Sequence, residues 1–331
     1  MFNPRHPGTL IALRPFLMSL ACVALLLSAA NAQDQAVIAQ LRLEPLDKKR
    51  ERTVPLKVYA ATSGEPLPVI LFSHGLGGSR ENSRYLGEHW AAAGYVGVFM
   101  QHAGSDETVW KSVPLRQRMA ALRAATGAQE LLNRLDDVAF VIDQLHVWNN
   151  EKDHPLYQKL NLDKIGMCGH SFGAATTLGV AGRKYPRGRS FQENRITAFF
   201  AMSPQTSKRV YTAEQAFGHL TRPLLCMTGT KDGSPIDPTV KPESRREVFA
   251  ALPKSDKYQL VLQDAQHSAF GDSPGKARTR DPRHHPAILT ISTHFWDAYL
   301  KDDPAAKTWL QSRRPLIETR LSERTDIWEW K

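Results

Sequence analysis

The stretch Ile165-Gly166-Met167-Cys168-Gly169-His170-Ser171-Phe172-Gly173-Ala174-Ala175-Thr176-Thr177-Leu178 decides the reading of this 331-residue chain. An apolar run reaches a G-x-S-x-G core and passes into small residues suited to a helix. A strand that reverses into a helix within so few residues leaves the central serine in a strained, exposed turn at the edge of a sheet. Glycine at both flanks removes side chains that would collide with neighbouring backbone. The start of the following helix favours negative charge near Ser171. Without this strand and helix context the motif would be weak, because G-x-S-x-G also arises by chance.

Working outward, short apolar runs alternate with helical patterns, which predicts an α/β fold with a mostly parallel central sheet and helices on both faces. Strands are expected at 69–73, 95–100, 164–169, 196–202, 223–228 and, as the last, 258–262. Helices are expected at 82–93, closed by Gly94, at 174–181 and at 286–300. A further long helix carries Leu135, Val138, Ile142 and Leu145 at spacings of three and four. The stretch Gln101–Leu115 has no clear period and could serve as a lid. Trp309, Trp328 and Trp330 in the tail are expected to pack on the domain.

A serine hydroxyl needs a base before it can attack an acyl carbon. In strand–turn–serine–helix sites the partners follow in the order serine, acid, histidine. Asp232 lies in Gly229-Thr230-Lys231-Asp232-Gly233, just past the strand expected at 223–228, and Asp237 is the fallback deeper in that loop. His267 follows the last expected strand, in Asp264-Ala265-Gln266-His267-Ser268. His284, His285 and His294 are its rivals, the first two beside prolines and the third within the terminal helix. The loop Ser73-His74-Gly75-Leu76-Gly77-Gly78 supplies a fourth element. Acyl transfer passes through an oxyanion that needs fixed donors, and the backbone N–H groups of Leu76 and Phe172 are the expected pair. His74, His102 and Trp110 are candidates for shaping a substrate pocket. No metal or cofactor is expected.

These residues resemble the α/β-hydrolase superfamily over nearly the whole chain beyond residue 32. Phe-Ser-His-Gly-Leu-Gly with Gly-His-Ser-Phe-Gly is similar to the plasma-type platelet-activating-factor acetylhydrolases and to bacterial dienelactone-hydrolase-like proteins. Secreted cutinase-like polyesterases share the same core. The resemblance implies a Ser–Asp–His triad, no metal, and esters with short or accessible acyl groups. Two departures are visible. The plasma acetylhydrolases carry their acid after the strand next to the nucleophile, where Phe199-Phe-Ala-Met-Ser-Pro204 offers no aspartate; Asp232 is one strand further on. Dienelactone hydrolases use cysteine where this chain has Ser171.

The expected activity is carboxylic-ester hydrolysis. A lipase or phospholipid acetylhydrolase and a cutinase-like polyesterase are the alternatives with the same residues. A catalytically silent binding protein on the same fold is the non-enzymatic one, and it would usually lack a member of the triad. The partner is a small-molecule or lipid ester.

Residues 1–32 read as a secretory signal: Arg5 and Arg14, the apolar run Phe16–Ala30, then Ala30-Asn31-Ala32. An exported protein, periplasmic or extracellular, with one catalytic domain over 33–331 is expected. No second long apolar run follows, so no membrane anchor is expected after cleavage. Of the formal charge of +10, Arg5 and Arg14 supply two, leaving +8. The densest basic cluster, Lys48–Arg52, is broken by Glu51 and lacks interleaved aromatics, which gives no support to nucleic-acid binding. Cys168 and Cys226 fall in strands not expected to be neighbours and are read as buried free thiols.

Overall fold

Consecutive apolar residues with β-branched and aromatic side chains form strands buried on both faces, and the order of those strands sets the architecture. The computed structural model describes Met1 and residues 38–61, 65–206, 211–272 and 280–331. The expected export signal, Met1 aside, lies outside the described residues. Ile38–Lys331 form one unit by internal contacts.

The chain begins with β1 (Ile38–Leu43), a hairpin of β2 (Leu46–Asp47) and β3 (Arg52–Thr53), then β4 (Leu56–Ala61) and β5 (Leu67–Ser73). Next come α1 (Arg84–Ala92), β6 (Val96–Met100), α2 (Thr108–Lys111), α3 (Arg118–Ala124) and α4 (Ala128–Asn150). β7 (Leu160–His170), α5 (Phe172–Val180), β8 (Ile196–Met202), α6 (Ala213–Phe217) and β9 (Leu224–Lys231) follow. The last elements are α7 (Glu247–Ala251), β10 (Lys257–Gln266), α8 (His284–Leu300), α9 (Pro304–Leu310), α10 (Arg314–Glu318) and β11 (Ile327–Trp330).

Among the described residues, nine strands make one sheet in the order β1-β4-β6-β5-β7-β8-β9-β10-β11. From β6 through β10 every pairing is parallel. β1, β4 and β11 pair antiparallel at the two edges. The carboxyl ends of β5, β7, β9 and β10 therefore lie along one edge of the sheet, the usual place for a site in an open α/β fold.

Residue parity sorts the core into two layers. Val69, Leu71, Met167, Phe199 and Cys226 face one side, with Leu135, Val138 and Ile142 of α4 and Leu178 of α5. Ile70, Phe72, Cys168, Phe200 and Met227 face the other, with Trp90 of α1 and Ile288, Ile291, Phe295 and Trp296 of α8. This is the α/β-hydrolase fold, with helices on both faces of a mostly parallel sheet.

The expected last strand is not the last: β11 adds to β10 in register Tyr258↔Trp330. Trp309 and Trp328 are buried, whereas Trp330, at the exposed edge, is 40% accessible. The aperiodic stretch 101–115 contains the single helical turn α2 and leads through a 3₁₀ turn at Leu115–Gln117 into α3. No helix among the described residues is long and apolar enough to cross a membrane.

Candidate active site

Ser171 stands between β7 and α5 with φ 58° and ψ −113°, a conformation that costs a non-glycine residue energy. Its N–H donates to Met202 O at 2.9 Å, which ties the turn to the end of β8. The flanking glycines are forced by space. A Cβ built on Gly169 would collide with Gly173 O, and one on Gly173 with Ser73 O. Both obstacles are backbone, so Gly173→Ala is expected to cost about 3 kcal/mol or more. Urea denaturation measures the loss; an unchanged midpoint would mean that the two loops are not packed as described.

His267 opens a 3₁₀ turn at the end of β10, and Asp232 follows β9. The His267 Nε2 lies 2.9 Å from Ser171 Oγ, and its Nδ1 lies 2.7 Å from Asp232 Oδ1. Asp232 is fully buried and the imidazole keeps 15% of its side-chain surface exposed. The second oxygen of Asp232 accepts from Thr228 Oγ1 at 2.8 Å. With Nδ1–H donating to the carboxylate, Nε2 is left to accept from the serine hydroxyl. That is the geometry of a base poised on a nucleophile. Asp237 is exposed and accepts from Thr239 N–H and Oγ1–H in its own turn. Of the rival histidines, His284 Nε2 meets Gln263 O, His285 stacks on Tyr85, and His294 stacks on Trp309.

The loop after β5 comes against the serine: a Cβ on Gly75 would lie 3.5 Å from Ser171 Cβ. Leu76 and Phe172 are half-buried, and the N–H of each donates to no acceptor among the described residues. Trp110 is half-buried, its indole N–H donates to Gly77 O at 2.7 Å, and Arg118 lies over its ring.

The pocket-lining role expected of His74 and His102 does not fit their positions. Both are buried, at 1% and 0% accessibility, and both ring nitrogens of each are occupied by protein partners. His102 lies between Asp137 Oδ2 and Ser73 Oγ, each at 2.9 Å. His74 meets Gly75 O through Nδ1 and the His102 N–H through Nε2. Ser73, His102 and Asp137 thus form a second Ser–His–Asp series, with Ser73 at 0% accessibility and closed to any substrate.

Sequence reasoning missed two buried arginines beside these groups. Arg245 donates through Nε to Asp232 O at 2.7 Å and lies 3.1 Å from Asp232 Oδ1. Its Nη1 donates to Ser203 O, and Nη2 lies 3.4 Å from His267 Nδ1. It braces the acid loop against β8. Nothing in the exposed-looking run Glu243-Ser-Arg-Arg246 marks it. Arg134 had a readable signal: with Asp137 it falls on the face of α4 that carries Leu135, Val138 and Ile142, where a charged pair must be buried.

Burial, aided by the nearby Arg134 charge and opposed by Asp137, pushes His102 down to about 4. Burial also pushes His285 down to about 4. An unfolded imidazole takes up its proton near pH 6.5, so stability is full above that and drains as pH falls toward 4. For His102 the loss is about 1.4 kcal/mol per pH unit across that window. Urea midpoints measured from pH 7.5 to 4.5 should fall steadily below about 6.5; a flat profile would contradict the buried neutral histidines.

An open depression of about 670 Å³ lined by Arg50, Arg52, Gln129, Asn133 and Asp136 lies beyond Asp137 and includes none of Ser171, His267 or Asp232. Among the described residues no group of three or more His, Cys, Asp or Glu is arranged to hold a metal.

No curated protein matches the chain. Residues 51–130 match the family model of platelet-activating factor acetylhydrolase, isoform II. That stretch runs from β3 into the first turn of α4 and includes the Ser73–Gly78 loop, but ends before Ser171. The match supports a hydrolase of ester bonds. The chain resembles the platelet-activating factor acetylhydrolase family within the α/β-hydrolase superfamily, in sequence over those residues and in fold over its sheet.

Proposed function

We propose that the chain is a serine carboxylic-ester hydrolase that works through an acyl-enzyme on Ser171. The observation that carries this reading is the unbroken hydrogen-bond series Ser171 Oγ–His267–Asp232, set at the sheet edge beside two backbone N–H groups that find no acceptor among the described residues. Ser171 Oγ attacks the ester carbonyl as His267 Nε2 takes its proton. The carbonyl oxygen becomes an oxyanion facing the N–H groups of Leu76 and Phe172. Collapse expels the alcohol, which leaves with the proton from His267. Water then attacks the acyl-enzyme by the same route and frees the acid. Buried Asp232 holds the imidazole in the required tautomer and stabilises its charged form. The chemistry needs neither metal nor cofactor.

The family match favours an acetylated lipid as a second, narrower substrate reading. Acyl-length profiling against short-chain phospholipids distinguishes it from general esterase action. In the same reading the chain is exported behind residues 1–32, and residues 33–331 form the catalytic domain. N-terminal mass spectrometry of the mature protein tests that.

Labelling with a fluorophosphonate probe, followed by peptide mapping, tests the central assignment. The adduct is expected on Ser171. A protein that hydrolyses p-nitrophenyl acetate yet carries the adduct elsewhere, or none, refutes it. A protein with neither activity nor adduct would be the silent binding module instead.

A further inference from the structure

Helix α4 buries a cation and an anion one turn apart, Arg134 and Asp137, both at 0% accessibility. Buried charges are tolerated when partners satisfy them, so the partners show what they hold. Asp137 accepts from Arg50 Nη1 at 2.8 Å, from Arg52 through Nε at 2.8 Å and Nη2 at 3.0 Å, and from His102 Nδ1. Arg134 donates through Nη1 to His74 O at 2.7 Å and Ser73 Oγ at 3.2 Å, and through Nε to Ser105 Oγ at 2.8 Å. Its guanidinium carbon also lies 4.4 Å from the centre of the Phe172 ring.

One arrangement of protons satisfies this set, with Arg134 Nη2 donating to Ser105 O at 3.4 Å and making no hydrogen bond to His74 Nδ1, which lies at the same distance. An arginine can only donate and an ionised carboxylate can only accept. Ser73 Oγ must therefore accept from Arg134 and donate to His102 Nε2, which leaves His102 Nδ1–H for Asp137. His74 Nε2 accepts the His102 N–H, so His74 Nδ1–H points at Gly75 O. The segment 73–75 is thereby held at Ser73 Oγ, His74 O and the His74 ring. The residues after it, with glycine at 77 and 78, are held through their backbone: the Gly77 N–H donates to Ser105 O at 2.9 Å, and the same Ser105 accepts from Arg134 through its hydroxyl.

We propose that Arg134 is a positioning residue that sets both oxyanion donors at once, Leu76 through the His74 carbonyl and Phe172 through the face of its ring. The inference rests on the esterase reading of Ser171. Arg134 touches neither the nucleophile nor its base; it joins the two loops that must face a single oxygen. A planar guanidinium can bond in its plane and stack across it together, and a lysine ammonium cannot. Interactions made only with the developing oxyanion appear in kcat rather than in KM. Loss of one such donor costs on the order of 10²–10³ in kcat, and displacement of the donors should cost part of that.

The test compares wild type, Arg134→Lys and Ser73→Ala for p-nitrophenyl acetate kinetics, thermal melting and inhibition by an aryl trifluoromethyl ketone. That ketone becomes a tetrahedral oxyanion when Ser171 Oγ adds to its carbonyl and the serine proton passes to His267. Folded Arg134→Lys should lose about 10- to 100-fold in kcat with KM within about threefold, and the ketone should weaken by the same factor. Ser73→Ala should lose about 3- to 10-fold in the same pattern, and it decides the matter if Arg134→Lys does not fold. A folded variant with wild-type kcat, or one whose loss lies in KM with the ketone unaffected, overturns the proposal. Wild-type protein that is not labelled at Ser171 by fluorophosphonate would instead bring down the esterase reading beneath it.

Discussion

Ser171→Ala is expected to lower kcat for p-nitrophenyl acetate by about 10⁵- to 10⁶-fold while the far-ultraviolet spectrum and the melting temperature stay near wild type. The substitution removes one oxygen from a half-buried turn whose backbone is fixed by other means: the Ser171 N–H on Met202 O, and the packing of Gly173 against Ser73. Backbone donors would remain, so a residual rate above that of water is expected. The double variant Ser171→Ala/His267→Ala should be no slower than either single one, because His267 has nothing to deprotonate once the hydroxyl is gone. A double variant slower by a further large factor would mean that the two side chains work separately. A single variant with near-normal turnover would remove the nucleophile from position 171.

Asp232→Asn is the second large effect, about 10⁴-fold in kcat. Asparagine keeps the volume but loses the charge, and its amide can turn an N–H toward His267 Nδ1. The imidazole then loses the acceptor that fixes its tautomer and offers the serine the wrong nitrogen. The change also reaches Arg245, a fully buried guanidinium that lies 3.1 Å from the same carboxylate oxygen. Removing that charge leaves a buried cation underpaired, so a fall in melting temperature should accompany the kinetic loss. Asp237→Asn serves as the control. Its carboxylate is exposed and caps its own turn, and kcat should change less than about threefold. The opposite ranking of the two variants would shift the acid to 237.

The sequence carried the parts of this fold written in local pattern. The apolar runs at 69–73, 196–202 and 223–228 become buried strands because parallel strands covered on both faces admit little else. The residues of the candidate site were legible for the same reason: each sits just past a strand end, and the order of parallel strands brings those ends together. The edge strands were not legible. Ile38–Leu43 and Ile327–Trp330 each have a solvent side, so polar residues interrupt them and no continuous run marks them. The arginines were harder still, since Arg245 follows a proline-rich loop and becomes buried only through long-range packing. His74 lies in the loop after β5 and His102 just past β6, and a place at a strand end could not tell a pocket wall from a strut behind it.

The placement of the two thiols bears on handling this protein. Cys168 on β7 and Cys226 on β9 are separated by β8, and they belong to the layers on opposite sides of the sheet. Strands two apart are about 10 Å from each other, beyond the roughly 7 Å that a disulfide spans. A covalent link between 168 and 226 can therefore close only in a chain that has not assembled its sheet. In protein without Cys22, an internally cross-linked band on a non-reducing gel is expected to count the misassembled molecules in a preparation.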